Sequence, residues 1–270
     1  MENARSVHDA FDLTGRIALV TGAGSGIGRT TSEALAGAGA TVICADINAG
    51  GAAETASGIM SQGGRAESAE LDVSVRGAAS TLIGHILARH GGLHIMCNIA
   101  GMMIDSSIID VDPDEFDRIM SVNLKGVLYG CQAAGKVMVA QRGGSIINMA
   151  SAAVLAPAAG IGPYAITKAG VVQLTQTMAL EVGKHRVRVN CVAPGFVPTN
   201  MTARYYTDPD GSVNEQTKAA VLAPMERMAP LRRVGETADI AYCVLYLAAD
   251  ASSFVTGQLI SPNGGVSMHY

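Results

Sequence analysis

A tyrosine and a lysine lie one helical turn apart in the segment "YAITK", where Tyr164 precedes Lys168 by four residues. Residues at this spacing share one face of a helix, so the ammonium group would lie near the phenol. A phenol has an unperturbed pKa of about 10, and a nearby positive charge favours the phenolate and lowers that pKa. The pair is a candidate general acid/base, although a pair on a solvated helix surface has the same spacing.

Two more polar residues could join this chemistry. Ser151 closes the strand-like segment "GSIINMAS", and Asn123 lies in a long helix predicted from about Asp114 to Gln141. Ligands of open α/β sheets bind at the carboxyl ends of strands, so Ser151 would stand where a substrate binds. Taken alone, Ser151 also fits an ordinary serine at a strand end, and Asn123 fits a helix-interior residue that is satisfied locally.

A glycine-rich segment, "TGAGSGIG" from Thr21 to Gly28, follows the first strand-like run and precedes a helical pattern. Glycines let the backbone approach a pyrophosphate, and the helix N-terminus presents free N–H groups. The spacing of Gly22, Gly26 and Gly28 is G-x-x-x-G-x-G, not the common dinucleotide fingerprint G-x-G-x-x-G. The segment predicts a phosphate-binding turn, with a plain tight βα turn as the alternative.

An acidic residue, Asp46, ends the second strand-like run, close to the distance expected for a carboxylate that binds the adenosine ribose. A carboxylate accepts hydrogen bonds from ribose hydroxyls and repels a 2′-phosphate. No Arg or Lys occupies Ser25, Ala45, Ile47 or Asn48, where a cation could offset that repulsion. These features favour NAD over NADP, although an acidic residue at such a turn can also be a helix cap.

The elements that would position these residues alternate between strand and helix. Seven strand-like runs occur: "RIALVTG", "ATVICADI", "RAESAELDV", "LHIMCNIAG", "GSIINMAS", "VRVNCVAPG" and "QLISPNGG". This rhythm predicts an α/β fold in a single domain over residues 1–270, with a doubly wound parallel sheet of about seven strands and helices on both faces. Residues 1–13 form an N-terminal tail in this prediction. Residues 199–235 interrupt the rhythm and predict a substrate lid.

Composition excludes several classes of function. The net charge is −4 with no block of Lys or Arg, which argues against a nucleic-acid partner. No apolar run is long enough to span a membrane, and the N-terminus lacks a secretory signal, so we expect a soluble cytoplasmic protein. The five cysteines and six histidines are scattered without metal-ligand spacing, so we expect no metal site.

The ordered set TGxxxGxG, Asn-x-Ala-Gly, Asn, Ser, Tyr-x-x-x-Lys and Pro-Gly resembles the short-chain dehydrogenase/reductase family from Thr14 to about Val266. The resemblance implies a Rossmann fold, a nicotinamide cofactor and carbonyl/alcohol redox chemistry. It makes Tyr164 the general acid/base, whose phenol Lys168 tunes while holding the nicotinamide ribose. Ser151 would position the substrate oxygen, and Asn123 would hold a water in a proton relay.

The resemblance also implies a set of cofactor-binding residues. Asp72 would contact the adenine amino group, and Val197 and Thr199 would hold the carboxamide. Two departures from the family pattern are Ile99, in place of a second Asn, and Asn263, where Asp is frequent. The full set comprises Gly22, Ser25, Gly26, Ile27, Gly28, Asp46, Ile47, Asp72, Val73, Asn98, Ala100, Gly101, Tyr164, Lys168, Pro194, Gly195, Val197 and Thr199.

The substrate is less constrained by the sequence. The predicted lid and the residues after "NIAG" are rich in Met and Tyr: Met102, Met103, Met201, Tyr205, Tyr206, Met225 and Met228. They favour a moderately hydrophobic secondary alcohol or ketone, or else they simply pack the loop. Reduction of a 3-oxoacyl group on a carrier protein is an alternative, and a nicotinamide sensor without turnover is another. The apolar helix from Tyr164 to about Gly183 should be buried on more than one side. The resemblance implies that this helix and the long one before it pair across subunits, so we expect a homotetramer, with a dimer second.

Overall fold

The computed structural model describes residues 6–268, which contain one parallel sheet of seven strands. The strands are β1 Ile17–Thr21, β2 Thr41–Asp46, β3 Arg65–Glu70, β4 Ile95–Asn98, β5 Gly144–Met149, β6 Val187–Val192 and β7 Leu259–Ile260. Their order across the sheet is β3-β2-β1-β4-β5-β6-β7. Each strand falls within one of the seven predicted runs, so the doubly wound parallel fold is confirmed.

Helices cover both faces of the sheet. They are α1 Val7–Phe11, α2 Gly26–Gly37, α3 Ala49–Ser61, α4 Ala78–His90, α5 Pro113–Met120, α6 Gly126–Gln141, α7 Gly162–Val182, α8 Asn200–Ala203, α9 Glu215–Met228 and α10 Thr237–Ala248. Short 3₁₀ turns occupy Ala152–Val154, Gly183–His185 and Asp250–Ser252. One core cluster joins the sheet to α2 and α10, and the other joins it to α4, α6 and α7. Burial on both faces explains why the central strands are apolar without alternation.

The strand order reverses beside β1. The chain winds outward from β1 to β3 and then returns to β4 on the other side of β1. Such a reversal leaves a crevice at the carboxyl ends of the two strands. Thr21 is the last residue of β1. Its hydroxyl accepts hydrogen bonds from the backbone N–H groups of Ile99 and Ala100 at 3.1 and 3.2 Å, and so links the end of β1 to the residues that follow β4.

The long helix predicted from Asp114 to Gln141 is present but is not uniform. A single π-helical turn, Ser121–Lys125, joins α5 to α6. Such turns occur often at functional sites, and Asn123 lies at the centre of this one.

The predicted lid, residues 199–235, contains the short helix α8 and the longer α9, with Pro224 inside α9. At the other end of the chain, the first five residues of the predicted N-terminal tail lie outside the described residues. The rest of that tail includes α1 and Leu13, which is 2% exposed and belongs to the core. No helix within residues 6–268 is long and apolar enough to cross a membrane.

Candidate active site

The glycine-rich turn brings the backbone close to the crevice. Gly22 and Gly26 have φ values of +70° and +51°, in the region that favours glycine. A Cβ on Gly28 would lie 2.0 Å from the Gly22 carbonyl oxygen, and one on Gly22 would lie 2.9 Å from Ala100. Larger side chains are therefore excluded where α2 begins. This turn fits the pyrophosphate of a dinucleotide, because the helix N-terminus supplies free N–H groups.

Asp46 lies at the edge of this turn with a fixed orientation. One carboxylate oxygen accepts a hydrogen bond from the Gly24 N–H at 2.9 Å, and the other accepts one from the Asn48 N–H at 2.8 Å. A carboxylate oxygen can accept more than one hydrogen bond, so each oxygen retains capacity for a ribose hydroxyl. Asp46 therefore presents a negative charge at the edge of the glycine turn.

Arg29 is a cation near Asp46 that the sequence analysis missed. Arg29 and Asp46 both line a small cavity of about 470 Å³ beside the glycine turn. The Arg29 guanidinium donates to the Gly24 carbonyl at 2.7 Å and lies 3.1 Å from the carboxylate of Glu54. Arg29 lies 17 residues before Asp46 in the sequence and reaches the cavity from the first turn of α2. Its charge is opposed by Glu54.

Ser151 follows β5 and caps the 3₁₀ turn Ala152–Val154. Its hydroxyl oxygen accepts a hydrogen bond from the Ala153 N–H at 3.2 Å. The oxygen is thereby oriented, and its own proton remains available to donate. Ser151 and Tyr164 line the same cavity.

Tyr164 stands in the first turn of α7, directly after Pro163. Its ring packs in an apolar cluster with Ile104 and Ile119 and is 9% exposed. Burial raises the pKa of the Tyr164 phenol, and the Ser151 hydroxyl acts in the opposite direction. This rise is opposite to the expected lowering of the Tyr164 pKa by Lys168. In the protein alone, the desolvation of the phenol outweighs the groups that favour the phenolate.

Lys168 lies one turn further along α7 and is 2% exposed. Its ammonium nitrogen donates to the Met149 carbonyl at 2.8 Å and lies 5.5 Å from the centre of the Tyr164 ring. Burial lowers the pKa of Lys168 to about 8. The predicted pairing on one helix face is therefore present, with the ammonium group directed to the end of β5 as well as to the phenol.

Asn123 is fully buried beneath the same residues. Its side chain donates to the Met102 carbonyl and accepts from the Met102 N–H, both at 2.8 Å. It also donates to the Thr167 hydroxyl at 3.2 Å, and that hydroxyl donates to the Tyr164 carbonyl at 2.7 Å. The side chain thus ties the π turn to the loop after β4 and to the start of α7. Its predicted role in holding a water stays a prediction.

A single cavity of about 1150 Å³ joins these features, because it is lined both by the glycine turn and by Ser151, Tyr164 and Lys168. An elongated cofactor would fit such a space. The predicted cofactor residues in its lining are Gly22, Ser25, Gly26, Ile27, Gly28, Asp46, Ala100, Gly101, Tyr164, Lys168, Pro194, Gly195, Val197 and Thr199.

Four predicted cofactor residues lie outside that lining: Ile47, Asp72, Val73 and Asn98. The Asn98 amide is buried and donates to the Asn148 side chain at 2.8 Å, which links β4 to β5. The Asp72 carboxylate accepts hydrogen bonds from both the N–H and the hydroxyl of Ser74. The structure thus gives Asn98 and Asp72 local partners, and a cofactor contact by any of the four remains a prediction.

The cavity continues past Tyr164 into a mainly apolar region. The predicted pocket residues Met103, Met201, Tyr205, Met225 and Met228 line it, whereas Met102 and Tyr206 do not. Sequence reasoning missed the contributions of residues 152–161 and of the chain end. The run of small residues between Ser151 and Tyr164 is a signal that could have indicated the contribution of residues 152–161. Missed lining residues include Ala152, Ala153, Ala156, Pro157, Ile161, Val221, Leu231 and Val266.

Comparison with known proteins gives consistent matches over nearly the whole chain. The family described as enoyl-(acyl carrier protein) reductase matches residues 22–267. The chain is 35% identical to the 3-oxoacyl-[acyl-carrier-protein] reductase FabG of Thermotoga maritima, over 94% of this chain and 98% of that protein. It is 36% identical to the (3R)-3-hydroxyacyl-CoA dehydrogenase of Homo sapiens, over 95% and 97%.

A solved structure agrees with this likeness. The gluconate 5-dehydrogenase of Burkholderia cenocepacia, in complex with NADP and tartrate, superposes with a TM-score of 0.89 at 32% identity. The superposition covers 97% of this chain and 98% of that one.

Proposed function

Because the chain belongs to the short-chain dehydrogenase/reductase family, we propose that this oxidoreductase interconverts a secondary alcohol and a ketone with NAD(H), using Tyr164 as general acid/base. The observation that carries the proposal is the meeting of Ser151, Tyr164 and Lys168 in one cavity that begins at the glycine turn. A nicotinamide cofactor bound there would supply the hydride for ketone reduction and accept it in alcohol oxidation.

The side chains have complementary roles in this chemistry. Ser151 donates a hydrogen bond to the substrate oxygen, since its own oxygen is already oriented by Ala153. The Tyr164 phenol gives its proton to that oxygen during reduction and removes it during oxidation. The Lys168 ammonium stabilises the phenolate formed in reduction, and its pKa of about 8 leaves it mainly protonated at neutral pH. Asn123 and Thr167 hold the start of α7 and so fix the phenol in place.

The proposed preference for NAD rests on the charges around the adenosine ribose. Asp46 is held by two backbone N–H groups, and the nearby Arg29 is matched by Glu54. A 2′-phosphate would meet a carboxylate and a cation that is already paired. We expect a higher kcat/KM with NAD than with NADP, measured from initial rates with each cofactor. Higher efficiency with NADP would contradict this assignment.

The proposed substrate is a moderately hydrophobic molecule, cyclic, aliphatic or steroid-like. The support is the apolar wall beyond Tyr164, to which the lid contributes Met225 and Met228. A variant with Met225→Ala and Met228→Ala should change the order of preference among alcohols. Unchanged specificity would mean that these methionines only pack the lid.

The experiment that tests the proposal is NADH formation from NAD over a panel of aliphatic, cyclic and steroidal secondary alcohols. We expect turnover by the wild type and loss of about a thousandfold or more in Tyr164→Phe, with NADH binding retained. Tyr242→Phe is the matched control, since Tyr242 is 65% exposed on α10. A Tyr164→Phe variant as active as the wild type would refute the mechanism. Binding of NADH without turnover of any substrate would favour a nicotinamide sensor.

Reduction of a 3-oxoacyl thioester is the second candidate. Relatives with 35% and 36% identity over nearly the full chain carry the names 3-oxoacyl-[acyl-carrier-protein] reductase and (3R)-3-hydroxyacyl-CoA dehydrogenase. The large apolar cavity would also accept an acyl chain. The test is turnover of acetoacetyl thioesters of carrier protein and of coenzyme A with both reduced cofactors. No turnover of either thioester would remove this candidate.

We also propose that the protein is a homotetramer, with a dimer as the second possibility. Leu180 on α7 is 86% exposed and Ile166 is 45% exposed, and apolar side chains on a long helix favour burial against another copy. Light scattering at micromolar concentration measures the mass directly. A monomer would contradict the proposal.

A further inference from the structure

A polar cluster outside the catalytic residues connects the lid to the loop after β4. Arg204 and Tyr205, which follow α8, contribute the lid side, and Met103 and Asp105 contribute the loop side. The Tyr205 hydroxyl donates to the Asp105 carboxylate at 2.8 Å. The Arg204 guanidinium donates to the Met103 carbonyl at 2.9 Å and lies 2.8 Å from the same carboxylate. We call these four residues the lid clasp.

The clasp fixes an aromatic ring in the wall of the cavity. Tyr205 lines the cavity that contains Tyr164, whereas Asp105 and Arg204 lie outside its lining. The hydroxyl is therefore held by two residues outside the cavity wall, while the Tyr205 side chain itself belongs to that wall. Arg204 also stacks its guanidinium 5.0 Å from the centre of the Tyr205 ring. A ring held at its hydroxyl and on one face has little freedom to turn aside for a larger substrate.

Tyr205 is close enough to the reacting centre to influence it. Burial is the main cause that raises the pKa of Tyr164, and the electrostatic influence of Tyr205 adds to it in the same direction. The Tyr205 hydroxyl is occupied by Asp105 and also accepts from Arg204 at 3.1 Å. Because its proton is engaged there, the side chain contributes its ring to the cavity and does not compete with Ser151 for the substrate oxygen.

We propose that Tyr205 is a specificity-determining residue, whose ring, held by Asp105 and Arg204, limits the bulk of the alcohol or ketone that reaches Tyr164. The proposal rests on the proposed function. Release of the ring enlarges the substrate region without removing any group of the proton-transfer chemistry. The clasp therefore acts on the relative efficiency for bulky and slim substrates.

The test compares Tyr205→Phe, Asp105→Ala and the double variant. The two single changes remove the same hydrogen bond, and Tyr205→Phe keeps the ring. We measure kcat/KM for the slimmest and the bulkiest alcohols that the wild type oxidises. The bulky-to-slim ratio should rise about fivefold in each single variant, and the double variant should show no further rise. Tyr205→Ala should raise the ratio more, because the ring itself is lost.

Controls separate this role from others. Asp110→Ala and Tyr242→Phe remove an exposed carboxyl on the same loop and an exposed phenol hydroxyl on α10, and should leave the ratio unchanged. An unchanged ratio in the single variants would overturn the proposal. So would an equal loss of kcat with every alcohol, since that would make Tyr205 part of the proton-transfer machinery.

A second measurement needs no turnover. Trypsin cleavage after Arg204, followed by mass spectrometry, should be faster in Asp105→Ala than in the wild type or in Asp110→Ala, because the Arg204 side chain loses its carboxylate partner. If the wild type oxidises none of the alcohols, the proposed function fails, and this cleavage alone decides whether the clasp holds the lid. Equal cleavage rates would overturn the clasp.

Discussion

Replacement of Lys168 by methionine should stabilise the fold while it removes activity. Burial lowers the pKa of Lys168 from 10.5 to about 8. One pKa unit corresponds to about 1.4 kcal/mol, so the buried ammonium costs the folded state about 3 kcal/mol at pH 7. Methionine has a similar length and no charge. The Met149 carbonyl loses its partner, at a cost of about 1 kcal/mol, so the variant should gain about 2 kcal/mol.

The pH dependence gives this prediction its clearest test. Between pH 8 and 10.5 the unfolded lysine still holds a proton that the folded lysine has lost. The free energy of unfolding of the wild type therefore rises with pH relative to that of Lys168→Met. The penalty falls to roughly 1 kcal/mol at pH 9.5, so the advantage of the variant should nearly vanish there.

Urea denaturation at pH 7 and pH 9.5, at one fixed protein concentration, measures both quantities. Lys136→Met is the matched control, because Lys136 is exposed on α6 and its replacement should change stability by less than about 0.5 kcal/mol. A Lys168→Met variant that is less stable at pH 7, or whose advantage is the same at both pH values, would refute the reasoning. Its NAD-dependent turnover should be lost in either case.

Three further outcomes are expected. Asp46→Ala should raise the efficiency with NADP relative to NAD by about tenfold in initial-rate assays, because it removes a charge that repels a 2′-phosphate. Gly28→Ala should weaken NADH binding, measured by fluorescence titration, by about a hundredfold, because a Cβ would lie 2.0 Å from the Gly22 carbonyl oxygen. Asn98→Ala should lower the free energy of unfolding by about 2 kcal/mol in urea, because it breaks the 2.8 Å hydrogen bond to Asn148 and leaves the buried Asn148 oxygen with only the weak thiol donor of Cys131. Wild-type cofactor preference, wild-type NADH affinity or wild-type stability, respectively, would contradict these expectations.

The sheet could be predicted from the sequence because both of its faces are buried. Runs such as Ile17–Val20 are apolar at every position, and fully buried strands need that composition. The site could be located for a related reason. The Gly-rich turn and Ser151 follow strands and Asp46 ends one, and the carboxyl ends of parallel strands lie at one edge of the sheet. The hydrophobic pattern of the strands and the topology of a parallel sheet were therefore sufficient to predict the sheet and to locate the site.

What the sequence could not provide depends on contacts through space. Arg29 and Glu54 belong to different helices, α2 and α3, and only the packed structure brings them together beside Asp46. The lid clasp also depends on contacts between distant parts of the chain, since Asp105 and Tyr205 are separated by 100 residues. Residues this far apart in the chain leave no periodic signal. They can be recognised only after the lid and the loop after β4 have been placed.

The pKa of Tyr164 could not be predicted from the sequence either, because it depends on how completely the folded protein buries the phenol. The spacing in "YAITK" correctly predicts that a lysine lies one turn away, and a charge at that distance should lower the pKa of a phenol. The sequence does not show how completely the pair is desolvated, and in the protein alone burial raises the pKa of Tyr164 while it lowers that of Lys168. Both shifts favour the uncharged forms. A phenol that keeps its proton is suited to donate it during reduction, whereas its use as a base in oxidation requires additional positive charge in the cavity. We therefore expect that loss of the positive charge on Lys168 changes the pH of half-maximal oxidation more than it changes the pH of half-maximal reduction.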